Sequence, residues 1–208
     1  KFVKHKDWEV RHGAALGMKY MLVVREDLIA TILPLVIKDI LQGLHDSVDD
    51  VSSVSASSLI PIASHLPKLL SHQEVSSIVK MLWDLLLDQD ELAAACNSYM
   101  SAMASILSLP QASQWIEMEP MENLIPRLWP FLSHPTSSVR RSTLQTLRKL
   151  TDETAKNTVN FGVRSWTASL LQEALRHIYQ RVLVEHVEDI QNLVEVVWVN
   201  IVENSELS

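Results

Sequence analysis

The sequence contains 208 residues, of which 47% are hydrophobic, with a net charge of −7 and a single cysteine. The apolar share is large enough for a substantial core and excludes a disordered chain. The acidic balance excludes a general nucleic-acid-binding protein, which carries positive charge toward phosphates. The lone Cys96 excludes a disulfide framework and indicates a reducing compartment.

Glycine is scarce, with four residues in the whole chain against a usual share of about 7%. A chain with few glycines has few tight β-turns to offer, so an all-α fold is predicted. The longest uncharged run covers residues 92–116, but it contains Asn97, Pro110 and several serines. It is too polar and too broken to cross a bilayer, and no membrane segment is expected.

In chain order, the apolar spacing is helical throughout; Val10, Gly17 and Val24, for example, share one stripe of the first helix. A loop is expected around Pro110, and a polar linker over residues 151–163. Helices are predicted over residues 7–24, 27–44, 48–70, 74–88, 90–109, 121–133, 136–151, 164–183 and 187–204. Three prolines inside these patterns, Pro34, Pro61 and Pro130, are predicted to kink their helices.

The predicted helices form pairs that recur with a period in the forties. Val10 and Val51 both open a second helix and lie 41 residues apart, while Asp46, Asp88 and His134 occupy the turns before second helices. This period is typical of a HEAT or armadillo α-solenoid, in which each helix pair buries its apolar faces against the next. A single closed helical bundle is the alternative fold.

We therefore predict one HEAT-repeat array of antiparallel helix pairs over residues 1–208, with about four to five repeats. The pairs cover residues 26–70, 74–109, 121–151 and 164–204, and residues 7–24 form the second helix of a truncated first repeat. Both ends of the chain are expected to be boundaries of a fragment. The predicted structural repeat positions are Val10, Arg11, Val51, Trp83, Trp129, Val139 and Arg140.

A Val-Arg pair opens a second helix twice, at Val10-Arg11 and at Val139-Arg140. A turn followed by a Val-Arg pair at the start of a helix resembles the HEAT consensus. In that consensus the arginine reaches an acidic turn residue of a neighbouring repeat. The resemblance implies Asp46 as the partner of Arg11, and Asp88 as the partner of Arg140. The planar guanidinium suits this task because its five donors can bridge two turns at once.

Longer strings carry a more specific resemblance, above all "WEVRHGAALGMKY" and "IPRLWPFLSHPTSSVRRSTLQTL". Together they resemble the middle part of the amino-terminal HEAT-repeat region in the TATA-binding-protein-associated factor 172 family. That family consists of nuclear Snf-type ATPases that remove TATA-binding protein from DNA. The resemblance implies two partners for this chain, TATA-binding protein and other repeats of the same full-length polypeptide, and a location in the nucleus. Direct DNA contact by this segment is not expected.

No chemistry is predicted within the chain, and no cofactor. It contains no Walker-type phosphate loop, so the ATPase motor of the family would lie elsewhere in the full-length protein. The eight histidines never form a His-x-x-x-His pair, and a metal site is not predicted. The string "LHDSVDD" at 44–50 could suggest a hydrolytic metal site, but aspartates at a helix N-terminus are the simpler interpretation.

Partner contact is instead predicted at acidic turns and at exposed tryptophans. Trp83 and Trp129 recur at core positions, whereas Trp8 and Trp115 lie near helix ends where they are expected to be exposed. The candidate partner-binding residues are Trp8, Asp46, Asp49, Asp50, Asp88, Asp90 and Glu91. A generic adaptor or transport scaffold with an acidic binding surface is the alternative function.

Overall fold

The computed structural model describes residues 2–88, 93–107, 109, 111, 115, 121–152 and 166–205, and every regular element in these ranges is a helix. The chain divides into two compact units, Lys1–Ile106 and Leu107–Ser208. The all-α prediction is confirmed. The prediction of one array over the whole length stays a prediction, and each unit is described by itself.

The first unit contains six α-helices within its described residues. They are α1 (Trp8–Val24), α2 (Ile29–Gly43), α3 (Asp49–Leu59), α4 (Leu66–Leu69), α5 (His72–Asp88) and α6 (Ala93–Leu107). Short 3-10 turns at Phe2–Lys4, Glu26–Leu28 and Ala63–His65 precede α1, α2 and α4. The predicted helices at 7–24, 27–44 and 74–88 therefore match their observed counterparts closely.

The predicted helix at 48–70 is wrong, because it is broken between Leu59 and Leu66. Pro61 lies just after α3, where its missing N–H and its ring prevent the helix from continuing. Pro34, in contrast, lies inside α2.

The start of α5 is fixed by a capping box. Ser71 Oγ accepts from the Glu74 N–H at 3.3 Å, and the Glu74 carboxylate accepts from the Ser71 N–H at 2.8 Å.

Within the first unit, α1 and α3 lie side by side and run parallel. Lys19 Nζ donates to Ser57 Oγ at 3.0 Å toward their C-terminal ends, and Arg11 contacts Asp46 near their N-termini. Helix α2 connects them and packs against α3. These are the relations of a two-helix repeat, in which the second helices of successive pairs stack.

The second unit contains five α-helices within its described residues. They are α7 (Met121–Leu124), α8 (Trp129–Leu132), α9 (Ser137–Thr151), α10 (Ala168–Val184) and α11 (Glu188–Asn204), with a 3-10 turn at Ile125–Leu128 between α7 and α8. Pro126 and Pro130 fall at the first positions of the short segments, which explains why the predicted helix 121–133 is segmented. Pro130 thus starts a segment rather than kinking one.

In this unit α9 and α11 are the parallel second helices. Arg141 Nε lies 2.6 Å from Asp189 Oδ2 near their N-termini, and Asn200 donates to Thr151 Oγ1 at 3.2 Å near their C-terminal ends. Helix α10 packs against α11 as its pair partner. The N-cap of α10 is Thr167, whose hydroxyl accepts from the Leu170 N–H at 3.4 Å.

Each unit has its own apolar core. In the first, Leu33, Ile40 and Leu82 are fully buried, and the buried Tyr99 hydroxyl donates to the Leu44 carbonyl at 2.9 Å. In the second, the fully buried apolar residues include Ile125, Leu128, Val139, Leu144, Leu150, Ala174, Ile178, Ile190, Val194 and Val197. The second helices contribute much of this core, so their N-terminal turns are held at fixed places along one edge of each unit.

Candidate functional site

The turns that precede the second helices share one local design, which we call the turn motif. In α1, α3, α9 and α11 an apolar residue lies near the start of the helix, and the side chain of the residue five positions earlier hydrogen-bonds to the backbone. The apolar residues are Val10, Val51, Val139 and Ile190, and the earlier residues are His5, Asp46, His134 and Glu185. Each earlier side chain accepts a hydrogen bond from the N–H two residues further on, at 3.0–3.2 Å.

In the first unit the arginine after the apolar residue joins two such turns. Arg11 Nε donates to Asp46 Oδ2 at 2.6 Å, and Arg11 Nη2 donates to Oδ1 at 2.8 Å. Its Nη1 donates to the carbonyls of His5 and Lys6 at 2.9 and 3.1 Å. The planar guanidinium group therefore bonds to its own turn through Nη1 and to the following turn through Nε and Nη2.

The second unit repeats this arrangement around Arg140. Arg140 Nε and Nη2 donate to the two carboxylate oxygens of Glu185 at 2.9 and 3.1 Å, while Nη1 donates to the carbonyls of His134 and Pro135 at 2.9 and 3.0 Å. Arg181 adds a second cation, with Nε 3.2 Å from Glu185 Oε2. In the last turn motif Gln191 takes the arginine position and donates to the Glu185 carbonyl at 2.7 Å.

The electrostatics follow from these contacts. The hydrogen bond from Arg11 holds the pKa of Asp46 below its ordinary value, although partial burial acts in the opposite direction. Burial of Glu185 alone would raise its pKa, but the hydrogen bonds from Arg140 and Val187 and the charges of both arginines lower that pKa to about 2. Both carboxylates are therefore ionised structural anchors at neutral pH.

The predicted pairing of Arg11 with Asp46 is confirmed. The predicted pairing of Arg140 with Asp88 falls on a side chain outside the described residues and stays a prediction. Within the described residues, Arg140 contacts Glu185 and two carbonyls of its own turn. The acid comes from the following repeat in both units. A signal was available in the sequence, since "DSVDDV" at 46–51 and "EHVEDI" at 185–190 share acidic residues at the same three places before the apolar residue.

The aromatic candidates divide by exposure. Trp83 and Trp129 are buried, which confirms their core role, and Trp129 stacks on His177 with ring centroids 5.1 Å apart. Trp115 is 4% exposed, so its expected exposure is wrong. Trp8 is 39% exposed at the start of α1 and makes a tilted ring contact with His12. Trp8 is thus the candidate tryptophan that remains available to a partner.

The acidic candidates also differ in availability. Asp46 is engaged by Arg11, and its side chain is 11% exposed. Asp49 is half-buried, and burial followed by the charge of Asp50 raises its pKa, whereas Asp50 itself is exposed. Asp90 and Glu91 lie outside the described residues, as does the side chain of Asp88.

Two further acids were missed by the sequence reasoning. Glu188 and Asp189 open α11 at the places that Asp49 and Asp50 take in α3, and both are exposed. Asp189 pairs with Arg141, an exposed contact whose hydrogen bond lowers the pKa of Asp189. Acid pairs at these helix N-termini are favoured by the helix dipole.

A cleft of about 590 Å³ lies between the first two turns of the first unit. It is lined by residues of both turns, namely Val3, Lys4, His5, Arg11, Gln42, Gly43, His45, Asp46 and Ser47. The edge formed by the turns is therefore concave and carries both signs of charge.

The part of the chain that the structure describes holds no cluster of three or more potential metal ligands among His, Cys, Asp and Glu. Within the same residues, no helix has the length and apolar character needed to cross a bilayer. Cys96 is buried in α6, and burial raises the pKa of its thiol to about 11. A protonated, buried thiol is a packing residue rather than a nucleophile.

Two solved structures share this fold. They are engineered proteins determined by the Northeast Structural Genomics Consortium, with TM-scores of 0.58 and 0.56, and sequence identities of 16% and 15%. The first match covers 98% of this chain and 96% of that protein. Antiparallel helix pairs, stacked second helices and the arginine–acid contacts between successive turns define a HEAT-type helical-repeat protein of the α-solenoid class.

Sequence comparison identifies the family. No family model matches the chain. TATA-binding protein-associated factor 172 of Homo sapiens is 41% identical over 207 residues, TATA-binding protein-associated factor BTAF1 of Arabidopsis thaliana is 33% identical over 228, and MOT1 of Saccharomyces cerevisiae is 30% identical over 215. The matches cover 94–100% of this chain, which spans about 11% of the length of each relative. The chain belongs to the TATA-binding protein-associated factor 172 family and corresponds to a segment of its amino-terminal part.

Proposed function

We propose that this chain is a protein-binding segment of a HEAT scaffold that binds TATA-binding protein in the nucleus. The full-length protein would dissociate TATA-binding protein from promoter DNA through an ATPase motor that lies outside these 208 residues. The names of three relatives, all TATA-binding protein-associated factors, support the partner. In this proposal the segment holds charged and apolar side chains at fixed positions for the partner, and it supplies no catalytic residue.

The contact surface is the edge at which the second helices begin. The observation that supports this proposal is that some turn residues of the first unit are paired internally, whereas others are exposed. Asp46 is held internally by Arg11, whereas Asp50 and Trp8 remain exposed at the N-termini of the parallel helices α3 and α1. We therefore assign partner contact to Trp8, Asp49 and Asp50, and keep Asp88, Asp90 and Glu91 as candidates.

The chemistry of the partner fits such an edge. A protein that binds DNA must present positive charge to the phosphates. Exposed carboxylates at Asp50, and at Glu188 in the second unit, would attract that surface and increase the rate of encounter. Trp8 can supply the apolar anchor, since partly exposed tryptophans at the centre of an interface often contribute most of its affinity.

The test measures binding of TATA-binding protein to the full-length protein at low and high salt. Asp50→Lys reverses one edge charge and is expected to weaken binding about three- to tenfold at low salt, and less at high salt. Trp8→Ala is expected to weaken binding about tenfold at both salt concentrations, because it removes apolar contact. Glu203→Lys is the matched control, an exposed acid near the C-terminal end of α11, the end opposite to the turns.

Equal affinity of the wild type, Asp50→Lys and Trp8→Ala would show that this edge is not part of the contact surface. Complete absence of binding by the full-length protein would instead show that TATA-binding protein is not the partner, and would favour a scaffold for a different protein. Circular dichroism of each variant shows whether a loss of affinity reflects a loss of fold.

A further inference from the structure

Helix α9 presents a row of hydrogen-bond donors to solvent, which we call the donor column. It consists of Arg141, Gln145, Arg148 and Lys149, which recur at helical spacing along one face. Gln145, Arg148 and Lys149 are exposed, and the Arg141 side chain is 35% exposed. None of the four side chains is a carboxylate, so the column is a positively charged face about two helical turns long.

The cations of the donor column have few acidic partners. Arg141 contacts Asp189 through Nε alone, and no carboxylate among the described residues lies within ion-pair distance of Arg148 or Lys149. Four arginines elsewhere in the described ranges do contact an acid, namely Arg11, Arg25, Arg140 and Arg181. A shortage of acids does not explain the difference, since the chain has 25 acidic residues against 18 lysines and arginines.

The other second helices carry different side chains at these places. Counting from Val139, the apolar residue of the turn motif, Arg148 and Lys149 are the ninth and tenth residues. The same places hold Lys19 and Tyr20 in α1, Ile60 and Pro61 in α3, and Val199 and Asn200 in α11. Two adjacent cations are therefore particular to α9 among these four helices, and the repeat itself does not require them.

The helix dipole accounts for only part of the donor column. Cations in the last turn of a helix, such as Arg148 and Lys149, are favoured by the negative end of the dipole. This effect falls off within about one turn, whereas Arg141 lies ten residues before Thr151 at the end of α9. The column thus extends along the helix, beyond the part that the dipole stabilises.

An exposed apolar residue of α11 lies beside the donor column. Asn200 donates to Thr151 Oγ1, so the faces of α11 and α9 that carry these two residues are turned toward each other. Val196 lies one turn before Asn200 and Arg148 lies one turn before Thr151, on the same two faces. Val196 is 39% exposed although α11 is packed against α9. The surface therefore combines positive charge with an apolar contact.

This combination favours an acidic helix over a nucleic acid. A DNA duplex carries one negative charge for about every 1.7 Å of its axis, and would bring phosphates close to Asp152 and Asp189 at the two ends of the column. A helix instead presents separate carboxylates about 5.4 Å apart, one to each turn, which matches the spacing of the donors. An apolar side chain next to those carboxylates packs on Val196, a contact that a phosphate backbone does not make.

We propose that the donor column and Val196 form a docking surface for an acidic amphipathic helix of a partner protein other than TATA-binding protein. Arg148 suits a carboxylate because a guanidinium group binds both of its oxygens, and Lys149 supplies a second charge-assisted donor. TATA-binding protein does not fit, because the positive charge that it needs toward DNA would be repelled here. This surface is thus separate from the acidic edge assigned to that protein.

Fluorescence anisotropy of a labelled peptide tests the surface in the full-length protein. The probe has about 16 residues, enough to form a helix, with glutamates one turn apart beside a row of leucines. The double variant Arg148→Glu and Lys149→Glu is expected to weaken peptide binding about tenfold at low salt, and less at high salt. The matched control, Lys68→Glu with Lys80→Glu, makes the same charge change at exposed lysines of α4 and α5 and should leave the affinity unchanged.

Milder variants keep the proposal testable if charge reversal disturbs α9. Arg148→Gln with Lys149→Gln retains good helix formers and should weaken peptide binding about threefold. Val196→Ser should weaken it about threefold at both salt concentrations, because an apolar contact is lost. Circular dichroism shows whether each variant is folded.

Two further probes identify the partner class. Binding of TATA-binding protein should be the same for the charge-reversed and control proteins, and a loss confined to the charge-reversed protein would show that the two surfaces are not separate. Loss of binding to a DNA duplex with unchanged peptide affinity would assign the column to nucleic acid instead. No peptide binding by the wild type, or equal peptide affinity of the charge-reversed and control proteins, would overturn the docking surface.

Discussion

Arg140 and Glu185 are separated by 45 residues in sequence and share two hydrogen bonds in a site where the Glu185 side chain has no solvent exposure. Arg181 approaches the same carboxylate and also donates to the Leu132 carbonyl at 2.9 Å. Two cations and the backbone N–H groups of His186 and Val187 therefore share one carboxylate. This cluster fixes the turn before α11 to the turn before α9.

Removal of that carboxylate is expected to destabilise the second unit strongly. Glu185→Ala leaves Arg140 and Arg181 buried without a counter-charge, and the loss of a buried partner costs about 3–5 kcal/mol. The free energy of unfolding, measured by urea denaturation with circular dichroism, tests this. Asp189→Ala is the control because it breaks the exposed pair with Arg141 and should leave the midpoint unchanged. Similar midpoints for both variants would show that the buried cluster is not a stabilising anchor.

The same carboxylate predicts a dependence of stability on pH. The pKa of Glu185 is lowered from 4.5 to about 2, so its stabilising contribution is complete above pH 4.5 and is lost as the pH falls toward 2. The contribution amounts to about 3 kcal/mol. The difference in unfolding free energy between the wild type and Glu185→Gln should therefore shrink as the pH is lowered from about 5 to about 2. A difference that is constant over this range would contradict the ionised anchor.

The sequence predicted the helices and the arginine role well, because both depend on local patterns. Apolar spacing located every long helix except those predicted at 48–70 and 121–133, which are broken near prolines, and the Val-Arg pairs located both arginines that join successive turns. The contact of Arg140 with Glu185 was missed because the acid was sought before Arg140 in the chain, at Asp88, whereas Asp46 and Glu185 both follow their arginines. The repeat spacing also varies, since Val10 and Val51 are 41 residues apart, but Val139 and Ile190 are 51 apart.

Position relative to the apolar residue of the next turn is the better guide, since Asp46 and Glu185 both lie five residues before it. Exposure was harder to predict. Trp115 and Trp8 have similar sequence surroundings near helix ends, but only the first is buried. Which side chain is covered depends on tertiary neighbours that no local pattern records.

The Arg11–Asp46 pair predicts a smaller effect in the first unit. Asp46→Ala removes two acceptors of Arg11 and the acceptor of the Val48 N–H, and is expected to cost about 1–2 kcal/mol, because the pair is only partly buried. Thermal unfolding, followed by circular dichroism, measures this loss of stability. Asp27→Ala removes an exposed pair with Arg25 and should leave the unfolding temperature unchanged. An equally small shift for Asp46→Ala would mean that the two turns do not depend on this contact.

Two glycine substitutions are expected to act in opposite directions. Gly43 ends α2 against α3, and a Cβ added there would lie 3.1 Å from Ser55 Cβ and closer still to Ser55 Oγ. Ser55 cannot easily move, because it is buried and its hydroxyl donates to the Val51 carbonyl at 2.8 Å. Gly43→Ala is therefore expected to destabilise this chain by about 1–3 kcal/mol.

Gly17→Ala is the matched substitution, in open space in the interior of α1. Alanine favours the helix over glycine by about 0.5–1 kcal/mol, so this variant of the 208-residue chain should be more stable than the wild type. Urea denaturation of both variants measures the two signs in one experiment. A stabilising effect at Gly43 would mean that α2 and α3 separate readily. A destabilising effect at Gly17 would mean that this position of α1 is closely packed rather than open.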